Sequence, residues 1–176
     1  MSEEIEDGEH FDFLEFIPKE FHSFEKDGPF TNCVDCGCEL YEAGETYSIQ
    51  KSMHRGEVIF EFALCTECHD VLVKGFSKET TERLMAYFSG LEVIEPTKAC
   101  CIDCQNPLDK LQSFNMAANC LGPYIQSAFL ICDQCQENIQ PLISEQTRRT
   151  RDDWIGKNFP CAPETRDLVP DSPLLF

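Results

Sequence analysis

The chain has 176 residues, 32 acidic against 14 basic, a formal net charge of −18, and twelve cysteines. Its length suits one ordinary domain or two small ones. The charge disfavours nucleic acid and anionic membranes, which proteins bind mainly through lysine and arginine, and leaves a basic protein or a cation as the natural partner.

The opening residues MSEEIEDGE are acidic where an export signal is positive and then apolar. No run of about 18 apolar residues occurs, so no segment reads as a membrane span. We therefore expect a reducing cytoplasm, where abundant cysteine signals metal or redox chemistry rather than disulfides.

Residues 1–30 form an acidic segment in which Phe11, Phe13, Phe16, Phe21 and Phe24 alternate with charge. Disordered chains are poor in aromatics, so this stretch is expected to dock, either on its own core or on another protein. A first cysteine turn, Cys33/Cys36, precedes the stretches ETYSIQKSM and EVIFEFAL, which flank His54-Arg55-Gly56. Alternation of Val58, Phe60, Phe62 and Leu64 predicts a strand with one buried face, and the glycine turn predicts a hairpin. Cys65/Cys68 follow at its end. Next comes a helix with Ser77 as N-cap, an apolar stripe of Leu84, Phe88 and Leu91 shared with Thr81, and Gly90 near its stop.

The second half runs in the same order. Cys101/Cys104 lead to LQSFNMAA, a turn near Gly122-Pro123 in which Cys120 is placed, and YIQSAFLI. Cys132/Cys135 then open a short helical stretch that meets Pro141, and a further helix starts at Ser144. Arg148, Arg149 and Arg151 are followed at once by Asp152 and Asp153, which predicts ion pairs on a helix surface rather than a phosphate site. A proline-punctuated tail, 159–176, ends in Leu174, Leu175 and Phe176.

The two halves align. At an offset of 68, CVDCGCEL lies on CIDCQNPL; at 67, FALCTECHDVL lies on FLICDQCQENI, and the register holds through Ser77 on Ser144 and Thr80 on Thr147. This internal repeat predicts two tandem units, 31–98 and 99–158, arising by duplication. It also decides the meaning of Cys65-Thr-Glu-Cys68-His69, a string compatible with c-type haem attachment. The copy reads Cys132-Asp-Gln-Cys135-Gln136: the cysteines recur and the histidine does not. Haem needs that histidine as an axial ligand, so thiolates are the shared requirement.

Four thiolates satisfy a closed tetrahedral zinc site, and a two-residue gap lets one tight turn aim two sulfurs at one ion. We assign Cys33, Cys36, Cys65 and Cys68 to one zinc, and Cys101, Cys104, Cys132 and Cys135 to a second. The order of cysteine turn, hairpin, cysteine turn and helix resembles treble-clef zinc fingers, where the last ligand pair opens a helix. The fold expected is α+β, two tandem treble-clef-like units, with a zinc ribbon as the competing architecture. Some treble-clef proteins are His-Asn-His nucleases; here only His54 and His69 could serve that role, and the second unit has no histidine. Cys38 and Cys100 align with Asn106 and Asn32, so the repeat disfavours them as ligands; Cys120 and Cys161 read as simply buried thiols.

Thin units of this kind need metal to be stable. Sites closed by four thiolates leave no position for water or substrate. The expected function is therefore a non-catalytic interaction or regulatory module with a protein partner. A thiol redox sensor or zinc-releasing switch is the alternative, and a nucleic-acid-binding role is disfavoured by charge.

Overall fold

The computed structural model describes residues 14–91 and 99–160. Two hairpins form where alternation and turn chemistry predict them. The first joins β2 (Thr46–His54) to β3 (Glu57–Cys65), and the second joins β4 (Ser113–Leu121) to β5 (Tyr124–Cys132). Arg55 and Gly56 both take positive φ, 49° and 83°, the geometry that matches a two-residue turn to the strand twist. Gly122 turns the second hairpin at φ 52°, and a Cβ there would stand 3.0 Å from the Gly44 backbone.

The hairpins merge into one antiparallel sheet of order β1-β5-β4-β2-β3, completed by the short strand β1 (Glu15–Phe16). β2 pairs with β4 along its full length, from Thr46 opposite Leu121 to His54 opposite Ser113. At the centre of this junction Gln50 faces Ala117, two positions 117 − 50 = 67 apart in the chain. Cys120 lies inside β4 and is 1% exposed. The turn position expected for it is therefore corrected: β4 runs on through Leu121.

Among the described residues four α-helices follow the strands: α1 (Thr66–Lys74), α2 (Lys78–Ser89), α3 (Asp133–Ile139) and α4 (Glu145–Asn158). Ser77 and Ser144 cap α2 and α4 by accepting the backbone N–H of Thr80 and Thr147. Phe62 packs against Trp154 and Phe159 on one face of the sheet. Its neighbour Glu61 points the other way and holds the N-terminal segment: its carboxylate accepts from the Ser23 hydroxyl and the Phe24 N–H and pairs with Lys51 at 3.2 Å. Lys51 also donates to the His22 carbonyl, so this buried pair has the extra hydrogen bonds without which a buried charge is costly. Ile17, Phe21 and Phe30 are buried on that face with Tyr47 and Ile49.

Two apolar clusters result, and each draws on both halves of the chain. The first gathers Phe62, Leu64, Leu40 and Tyr47 with Trp154, Ile155 and Phe159 of the C-terminal end. The second gathers Ile131, Leu130 and Ile139 with Leu84, Tyr87 and Phe88 of α2. The second helix of each half thus crosses to cover the other half. This crossing explains a further departure from expectation: Arg151, read as a surface residue, is 3% exposed because α4 turns that side inward. Arg149 forms a helix-surface ion pair, with Glu145 rather than with the aspartates that follow it, and Arg148 donates to the Gln140 carbonyl. Residues 1–13, 92–98 and 161–176, Cys161 among them, lie outside the described residues.

Candidate metal centres

Each centre is assembled from a loop turn and a helix start. In the first, the N–H of Cys33 bonds the carbonyl of Cys38, and Gly37 N–H bonds back to the Cys33 carbonyl. The turn is fixed to the sheet by Val34 N–H on the Ala63 carbonyl. The second repeats this with Cys101 on Asn106, Gln105 on Cys101, and Ile102 on Leu130. Gly37 and Gln105 occupy the same point of their turns at φ 75° and 58°. Only the first turn has the residue that adopts this conformation freely.

The other two sulfurs of each set come from the strand-to-helix corner. Cys65 is the N-cap of α1 and its sulfur accepts the N–H of Cys68 at 3.4 Å, while its own N–H points to the Cys33 sulfur. Cys132 is the N-cap of α3, with its N–H on the Cys101 sulfur at 3.3 Å. Backbone donors and a helix N-terminus both favour negative charge on sulfur.

The outcome is two four-sulfur groups: Cys33, Cys36, Cys65 and Cys68, and Cys101, Cys104, Cys132 and Cys135. In each, the sulfurs lie within 4.8 Å of one another. Cys36 and Cys65 are 3.8 Å apart, and Cys104 and Cys132 3.7 Å. A tetrahedron with metal–sulfur bonds of about 2.3 Å has edges of about 3.8 Å, so both groups could hold a thiophilic metal ion with little movement. No non-sulfur group joins either set among the described residues.

Electrostatics shows how a cation would suit these groups. Burial raises the thiols of Cys68 and Cys135, and neighbouring sulfurs raise them further, since adjacent thiolates repel. Burial also works against ionising Cys101, but the N–H groups of Cys132, Cys104 and Asp103 outweigh it and the thiol is lowered. Cys36, exposed, is lowered to about 7, first by the N–H of Cys38 and then by its thiol. Without a cation at least one sulfur of each set keeps its proton; a cation lets all four ionise and bind.

Several supporting residues carry no sequence motif. Trp154 Nε1 donates to Asp35 Oδ2 at 3.4 Å, and Lys157 Nζ pairs with Asp35 Oδ1, so α4 clamps the first cysteine turn. Tyr87 of α2 does the same for the second turn through Asp103. Tyr87 and Trp154 are 154 − 87 = 67 positions apart, the repeat offset. That coincidence was the only sequence signal available for them.

His54 and His69 are not brought together. His54 ends β2 and contacts the Ser113 hydroxyl, whereas His69 lies on α1 beside Thr46 and Thr66 at the strand's beginning. Eight residue steps along β2 separate those ends, about 26 Å at strand rise, too far for a shared ion. Cys38 adjoins the first sulfur set; although the residue is exposed overall, its thiol is raised to about 12, foremost by desolvation of the sulfur against its neighbours, then by Cys36 and Cys65. Asn106 stands at the matching place in the second.

Comparison with protein-family models, characterised proteins and solved structures found no match. Fold and site together define an α+β protein with one antiparallel sheet and two four-cysteine groups able to bind metal. No helix among the described residues is long and apolar enough to cross a membrane.

Proposed function

We propose that the chain is a non-catalytic zinc protein of the cytoplasm, an interaction or regulatory module in which two ions, each held by four cysteines, are structural. The observation that carries this reading is the sulfur-only composition of both groups at tetrahedral spacing. Zinc matches that donor set, and four protein ligands leave it no open position for a substrate. Each last pair opens a helix, in favour of treble-clef units over zinc ribbons. The offset of 67 shared by the strand junction, the helix caps and the Tyr87/Trp154 pair supports an origin by duplication.

A protein partner accounts for the exposed apolar side chains. Phe16, Phe24, Val71 and Met85 stand at 65–77% exposure on an otherwise acidic surface, and a basic partner suits the net charge. The test is purification of the full tagged chain from its native cells after cross-linking, with Phe24→Ser and Val71→Ser as controls. A partner retained in stoichiometric amount and lost in a control supports the module. Recovery of the chain alone, as an oligomer or monomer, contradicts it.

One observation favours a second reading, the zinc-releasing thiol switch: Cys38 adjoins Cys36 and both are exposed. Mild peroxide would then release one zinc, not two, and Cys38→Ser would retain both.

A further inference from the structure

The two halves treat one niche of the sheet differently. Beside α3, the Ser52 hydroxyl of β2 donates to the Asn115 side-chain carbonyl, and the Asn115 amide donates to Gln136 of α3. These residues are buried. Phe60, paired across the sheet with Ser52, fills the adjoining space against Phe62 and Phe159. Ser52, Asn115 and Gln136 thus leave no buried side-chain atom without a partner, although the neighbouring Gln50 Oε1 has none.

At the offset of 67 the corresponding residues are Ser48 for Asn115, Asn119 for Ser52, His69 for Gln136 and Ser127 for Phe60. The backbone matches, since Ser48 faces Asn119 across the sheet and Asn119 faces Ser127. The side chains do not close. Asn119 turns to Ser127, its amide donating to that hydroxyl at 3.1 Å. The Ser48 hydroxyl and His69 Nε2 are left shielded from solvent with no hydrogen-bond partner among the described residues. With serine in place of phenylalanine, a cleft of about 340 Å³ opens beside them, between α1 and the second hairpin.

An unpaired buried polar group costs about 1–3 kcal/mol, and the other half of the same chain shows how easily this position can avoid that. The geometry points to a ligand site here, for a small uncharged molecule rich in hydroxyl groups, of about monosaccharide size. No lysine, arginine, aspartate or glutamate lines the cleft, and the Asp70 carboxylate 3.9 Å from His69 Nδ1 disfavours an anion, so the lining suits a neutral ligand. Hydroxyl, amide and imidazole groups (Ser48, Thr66, His69, Asn119, Ser127) offer both donors and acceptors, the pattern a polyol presents in return. Leu64 supplies an apolar floor for its carbon face. The volume sits at the small end of ligand pockets. The site needs no chemistry from the sulfur centres and stands apart from the interaction role proposed above.

The experiment follows the His69 imidazole by carbon–proton correlation spectroscopy on the full zinc-loaded chain. Glycerol, myo-inositol, ribose and glucose are titrated separately, with ribose 5-phosphate as the charged control. We expect a saturable shift with at least one neutral polyol, with a dissociation constant of order 1 mM, and weaker binding of the phosphate ester. Ser127→Phe fills the cleft as Phe60 fills its counterpart, and should weaken binding at least about tenfold. Ser48→Ala, which removes one hydroxyl and adds no bulk, should weaken it too and serves if the larger variant misfolds. No saturable shift with any of the four, or binding unchanged in the variants, overturns the site and leaves a water-filled cleft.

Discussion

Thr147 donates its hydroxyl to that of Thr80 at 3.0 Å, and each also serves the opposite helix: Thr147 Oγ1 accepts the Ser77 N–H, and Thr80 Oγ1 accepts the Ser144 N–H. Ser77 and Ser144 complete the knot at 2.7 Å between hydroxyls. Both threonines are essentially without solvent contact, at 0% and 1% exposure. Two helix starts, one from each half, are therefore tied together at the residues that cap them.

Replacing either threonine with valine keeps the shape and strands a buried N–H. Each single variant should lose about 1–3 kcal/mol in urea unfolding, and the double variant less than the sum, because each change strands its own N–H but the hydroxyl bond shared by Thr80 and Thr147 is lost only once. Strict additivity would show that the two caps are independent.

The crossing of α4 onto the first cysteine turn predicts an asymmetric metal loss. Trp154→Ala removes the contacts to Phe62 and Phe159 and the bond to Asp35, and should cost about 3–5 kcal/mol. In a chelator titration followed by native mass spectrometry, this variant should release one ion early and keep the other. Tyr87→Ala should do the same for the opposite centre. Equal weakening of both centres by Trp154→Ala would contradict the packing described.

Gln105 holds a left-handed backbone conformation at φ 58° where the first turn has Gly37. Glycine relieves that strain but adds freedom to the unfolded chain. Gln105→Gly should stabilise by up to about 1 kcal/mol, seen as a higher melting temperature of the metal-loaded protein. Gly37→Gln should destabilise by a similar or larger amount.

Cys120 sets an alkaline limit. Burial raises its thiol from the ordinary 9.0 to about 12. The unfolded thiol ionises first as pH rises, so the unfolded state binds fewer protons and gains ground. The stabilisation is complete below about pH 9 and is lost progressively towards about pH 12. Urea midpoints across that window should fall with pH, and Cys120→Val should flatten the decline. An unchanged slope would place the thiol in contact with water.

Much of this was legible in the sequence because it rests on local rules. Turn chemistry and alternation gave the first hairpin, serine caps gave the starts of α2 and α4, and cysteine spacing gave the two sets that the fold brings together. What was not legible depends on which surfaces meet. Arg151 looked exposed because its neighbours are charged, yet α4 docks across the other half and buries it. Cys120 looked like a turn residue because Gly122 follows, yet pairing with Tyr47 of β2 extends the strand past it. The roles of Asp35 and Asp103 required knowing that each cysteine turn is met by the other half's helix.

The central claim is that sulfur-bound metal holds these two centres together, and counting ions while watching the fold tests it most directly. Native mass spectrometry of the full chain, purified without added metal, should find two zinc ions. Stripping them with a strong chelator at neutral pH should abolish the cooperative melting transition and the ordered circular dichroism spectrum, and restoring zinc should recover both. A chain that carries no thiolate-bound metal, or that keeps its spectrum and melting curve after both ions are removed, would contradict the account.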